Sequence, residues 1–67
     1  MTATELRSHL DALTEERAAA IAWGAAGIPA YAADLEREIE HVRAAYVGAA
    51  VTEIASFRAQ LSGAQLG

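Results

Sequence analysis

The sequence predicts an all-α fold: a two-helix hairpin with a short helix over about 3–23 and a long one over about 30–61, oligomerising into a helical bundle. Three observations predict it. Apolar residues recur three and four positions apart on both sides of the chain's middle, the period of a helix with one buried face. Residues 18–33 carry no charge, and Gly24, Gly27 and Pro29 interrupt what would otherwise be one continuous helix. Alanine, the best helix former, fills eighteen positions, though its small side chain brings little buried area and so asks helices to approach closely.

The first helix opens on Thr2-Ala3-Thr4-Glu5. This is a capping-box spacing, in which the Thr2 hydroxyl accepts from the Glu5 amide while the Glu5 carboxylate returns to the amide of the cap. Leu6, Leu10, Leu13, Ala20 and Ile21 follow at helical spacing, with Arg17 interrupting them and Arg7, Ser8, Asp11 and Glu15 largely on the other side. Arg7 and Asp11 have the spacing of an i,i+4 pair. Gly24 suits the left-handed residue that closes a helix. Pro29 suits the first turn of the next one, because its ring already fixes a helical φ and its missing N–H would have had no partner there. A turn over about 23–28 is ordinary for joining antiparallel helices.

The second helix is expected to stop at Ser62-Gly63, leaving 1–62 as a single helical-hairpin domain and 63–67 as a short tail that frays. Asp34, Glu36 and Glu38 near its start and Arg58 near its end complement the macrodipole. Leu35, Tyr46 and Phe57 are eleven apart, as are Ile39, Ala50 and Leu61, so the repeat favours a nearly straight or slightly right-handed packing. A second stripe of Val47, Val51 and Ile54 joins it only in the C-terminal half, giving 46–61 an apolar face broad enough for two neighbours. The short helix cannot cover that face.

A chain of 67 residues buries a modest fraction of its surface, and the absence of cysteine removes disulfides and thiolate sites. Partner subunits are the ordinary remaining source of stability. The expected association surface is Tyr46, Val47, Val51, Ile54, Phe57 and Leu61, with Gly48 in the small-residue run Ala44-x-x-x-Gly48-x-x-x-Thr52 allowing close approach. The partner is expected to be protein, either a second copy or a larger protein assembly. A net charge of −4 with five scattered arginines and no lysine disfavours nucleic acid.

The N-terminus shows no basic segment followed by an apolar run, so the expected location is cytoplasmic or within an intracellularly assembled particle. The uncharged stretch of sixteen residues is short of the ~20 that span a bilayer and is broken midway. Trp23, Ile28 and Tyr31 are expected instead to form an apolar plug at the hairpin tip, packing against each other or on a partner. No serine or threonine has a base and an orienting group beside it in the sequence, and no glycine-rich phosphate loop follows a strand, so no enzymatic activity and no cofactor are expected.

Glu38-x-x-His41 has the spacing by which ferritin-like sites take a Glu and a His from one helix turn. A dimeric four-helix bundle would hold this pair twice, with Glu15 or Glu16 adding carboxylates, which makes a metal-binding bundle one alternative. Another is a virion component, since size, two helices and dependence on neighbours are shared with small joining and decoration proteins of tailed phages. That is a likeness of type and rests on no motif. The adjacent Trp23-Gly24 pair departs from the Trp-x-Gly pattern of secreted helical hairpins, and nothing is carried over from that family.

Overall fold

A computed structural model describes the backbone of residues 1–66 and the side chains of residues 1–63. Helix α1 (Ala3–Trp23) and helix α2 (Pro29–Leu66) form an antiparallel hairpin, joined through a single 3-10 turn at Ala25–Gly27. No strand occurs among the described residues. The molecule measures 60 × 16 × 13 Å with a radius of gyration of 17.3 Å, whereas a compact domain of this length would have one of about 11 Å. The elongation follows from unequal helices. At ~1.5 Å per residue the 21 residues of α1 reach about 31 Å and the 38 residues of α2 about 57 Å.

Each end of α1 is fixed by the chemistry legible in its sequence. Glu5 N–H donates to Thr2 Oγ1 at 3.1 Å and Thr2 N–H donates to Glu5 Oε1 at 2.9 Å, completing the capping box. Gly24 takes the left-handed conformation at φ 83°, which a side chain would strain, and its N–H donates to the Ile21 carbonyl. Ile28 is extended, as a residue preceding proline must be. Its carbonyl then accepts from Ala32 N–H at 3.0 Å and starts α2 at Pro29.

Helix α2 continues to Leu66, five residues past the expected stop at Leu61. Gly63 does not adopt a positive φ, the property that closes α1 at Gly24. Without that reversal, a glycine only weakens a helix by about 1 kcal/mol relative to alanine. The side chain of Leu66 and all of Gly67 lie outside the described residues. The first turn of α2 holds no acidic residue and its last turn no basic one. The charges at Asp34, Glu36, Glu38 and Arg58 therefore fall beyond the range over which the macrodipole acts.

The core is a single seam. Leu6 and Leu13 from α1 meet Leu35, Ile39 and Val42 from α2, and Leu10, Tyr31, Ala45, Tyr46 and Ala49 pack at its margin. Ala20 is buried nearer the tip, while Ile21 is exposed and does not belong to the stripe. On α2 the covered positions 35, 39, 42, 46 and 49 step by four and three, the spacing of a coiled-coil seam. Phe57 and Leu61, farther along α2, are exposed because α1 ends before it reaches them.

Candidate association surface

Helix α1 ends level with Glu53, and the contact is specific. Ala3 N–H, one of the amides that a helix start leaves without a partner, donates to Glu53 Oε2 at 2.9 Å. A carboxylate at that place also opposes the positive end of the α1 dipole. Sequence reasoning missed Glu53. The signal lies in counting residues outward from the turn, which sets Glu53 opposite the first residues of α1.

The same counting explains the polar contacts that flank the seam. Tyr31 Oη donates to Glu16 Oε1 at 2.8 Å, Arg17 Nη1 lies 3.3 Å from Glu36 Oε1, and His9 Nε2 lies 3.8 Å from Glu38 Oε1. Arg17 occupies a seam position on α1 and reaches out to Glu36, laying its stem along the apolar seam. The hydrogen bond to Glu16 holds the Tyr31 phenol above its ordinary ionisation range, since ionisation would discard the donated proton. Two hydrogen bonds from Thr2 hold the Glu5 carboxyl below its ordinary value.

These contacts redirect Glu38 toward His9 across the hairpin, while His41 stays exposed. Among the described residues no three His, Asp or Glu side chains gather where they could hold one metal ion. Arg7 and Asp11 are not among the ion pairs of the described residues, which are His9–Glu38, Arg17–Glu36, Asp34–Arg37 and Glu40–Arg43. The apolar plug expected at the tip does not form within the chain: Trp23 is 88% exposed, Ile28 is exposed, and Tyr31 turns inward to the core margin and Glu16. Neither described helix is long and apolar enough to cross a membrane.

Beyond α1 the character of α2 changes. Val47, Val51, Ile54, Phe57 and Leu61 are each between 51% and 61% exposed, while Tyr46 is half-buried against the core and belongs to the intramolecular seam. The line that α1 covers turns polar past its end, at Glu53, Ser56 and Gln60. Val47, Ala50, Ile54, Phe57 and Leu61 form a second line, stepping by three and four and displaced one residue from the first. At roughly 100° per residue it faces about a quarter-turn away. Val47 and Ile54 are turned away from α1, whereas Phe57, eighteen residues and five full turns beyond Ile39, lies in line with the covered face past the end of α1.

Gly48 stands apart from both lines, roughly 130° around from the Ile54 line by the same rotation. A Cβ built on Gly48 meets nothing within 4 Å, so α1 makes no close approach there. Gly48 instead helps line an open hollow of about 360 Å³ beside the start of α1, with Met1, Thr2, Ala49, Thr52 and Glu53. Thr52 Oγ1 donates back to the Gly48 carbonyl at 2.9 Å, a local bond that satisfies the hydroxyl. No family model, no curated protein and no solved structure matches the chain.

Proposed function

We propose that the chain is a non-enzymatic, self-associating helical hairpin that serves as a structural or adaptor subunit of a larger protein assembly. The observation that carries this reading is the second apolar line on α2, where Val47, Ile54, Phe57 and Leu61 stay exposed beside and past the end of α1. With Val47, Val51, Ile54, Phe57 and Leu61 each more than half exposed, this part of α2 presents an apolar surface on the order of a few hundred Å², comparable with the largest patch a monomer leaves open. Covering it in a partner would add about 25 cal/mol per Å² before the costs of association.

The interacting residues in this reading are Val47, Val51, Ile54, Phe57 and Leu61, with Tyr46 at the junction of the two lines. Gly48 serves association only through a second contact on its own face. The decisive measurement is mass and thermal melting across a dilution series. Self-association gives a mass above that of one chain and a cooperative melt whose midpoint rises with concentration. A single-chain mass with a constant midpoint from nanomolar to high micromolar concentration overturns the proposal.

A further inference from the structure

Resting on that self-association, we infer that two copies pair antiparallel through the overhanging parts of α2, about a two-fold axis at Ile54, so that the two α1 helices meet end to end without overlapping. The occupant of the exposed strip is thus the same strip of a second copy. Three features of the chain point to this arrangement.

The first is the order of side-chain sizes along the line. Val47, Ala50, Ile54, Phe57 and Leu61 read with Ile54 at the centre, Val47 and Leu61 seven residues to either side, and Ala50 and Phe57 four and three residues away, a stagger of one residue. Antiparallel pairing about Ile54 sets Val47 against Leu61 and small Ala50 against large Phe57, so every layer holds a similar volume. Parallel pairing sets Ala50 on Ala50 and Phe57 on Phe57. One layer is then underfilled and the next overfilled, and both errors destabilise.

The second feature is where α1 stops. Its first residue, Ala3, is bonded to Glu53, one residue short of the proposed axis. The two-fold operation places the partner's α1 on the far side of Ile54, so each level of the overlap contains both α2 helices and only one α1. The result is a three-helix cross-section running through the centre of a long particle, in place of a compact four-helix bundle. Each Glu53 carboxylate stays beside the start of its own α1, so two anions flank the junction where the positive ends of the two helix dipoles meet.

The third is the place of the strip on α2. The rotation of the strip by about a quarter-turn from the α1 line leaves room for the partner helix beside α1.

The test uses the full chain, which contains no cysteine, so a single introduced cysteine can carry one spin label per copy. Ala33 is exposed and lies close to the turn. With Ala33→Cys labelled, antiparallel pairing about Ile54 separates the two labels by about 60 Å, from twenty-one residues on each side of the axis at ~1.5 Å per residue. A separation near 60 Å supports the arrangement. A separation under about 25 Å, which parallel pairing or tip-to-tip contact through Trp23 would give, overturns it and leaves self-association standing. Absence of dipolar coupling together with a single-chain mass overturns both.

Discussion

Helix α2 is two surfaces in series. Leu35, Ile39 and Val42 sit under α1, where Ile39 is 1% exposed, and Val47 together with the apolar residues over 51–61 lies open. Both halves follow the four-and-three spacing, and both are rich in alanine and β-branched side chains. The difference is supplied by α1, which ends at Glu53, and by a one-residue displacement of the apolar line as it passes from one half to the other. Hydrophobic periodicity therefore reports that a face is to be buried, while helix length and phase decide whether the burying partner belongs to the same chain. Substitutions in the two halves are expected to separate folding from assembly.

The largest effect is expected at Ile39. Replacing this side chain with alanine removes contacts at the centre of the seam between α1 and α2, at a cost of about 2–5 kcal/mol. A chain of this size has little stability to spare, so Ile39→Ala loses most of its helicity by circular dichroism at room temperature. Ile54→Asp acts on the other half. It leaves the secondary structure of the dilute hairpin within about 0.5 kcal/mol of the parent, because a half-exposed position loses little in the single chain. It removes the higher-mass species, because an unpaired carboxylate would be buried at the centre of the interface. Should Ile54→Asp unfold the dilute chain as Ile39→Ala does, the division into two surfaces is wrong.

The hairpin itself was legible because its determinants are local. Thr2 and Glu5 form the capping box through residues three apart, and Gly24 and Pro29 each impose one backbone conformation. The far end of α2 was less legible, since Ser62 and Gly63 lower helix propensity without forcing a left-handed turn. Phase was the harder problem. Eleven-residue pairs such as Leu35 with Tyr46 and Tyr46 with Phe57 mark one side of the helix, but only the position of α1 shows that Tyr46 is covered and Phe57 left open. The contacts of Glu53, Glu16 and Glu38 are long-range in sequence and follow only once the antiparallel register is known. Nothing in the residue types marks Glu53 as the group that receives Ala3 N–H.

Two smaller substitutions sharpen the boundary between the halves. Glu53→Ala leaves the Ala3 amide without its carboxylate and is expected to cost the hairpin about 0.5–1 kcal/mol, read as faster amide hydrogen exchange confined to the first turn of α1. Loss of protection along the whole of α1 would contradict a local role. Gly48→Ala is expected to raise the melting temperature, by up to about 1 kcal/mol of stability, because the added methyl meets nothing and the helix gains propensity. Gly48→Leu then decides the role of that face. Unchanged mass places Gly48 outside the interface, and a lower mass at constant helicity shows that a second copy approaches it closely.

The last and smallest expected effect is on pH, and it belongs to the covered half. Tyr31 is held above its ordinary ionisation range by donating to Glu16, so its contribution is fully present below that range and is lost as pH rises through the folded-state value. Glu5 is held below its ordinary value by Thr2, so its contribution is present above the unfolded carboxylate value and is lost as pH falls through the depressed one. Hairpin stability should therefore decline at both limits, with Tyr31→Phe weakening the alkaline decline and Glu5→Gln the acid one. The open half pairs through Val47, Ile54, Phe57 and Leu61, which do not titrate. The increase of melting midpoint with concentration should then be the same at about pH 6 and pH 8, both between the ordinary carboxylate and phenol ranges. A concentration dependence that vanished between those two values would place a titrating group in the interface and contradict an apolar pairing of the overhangs.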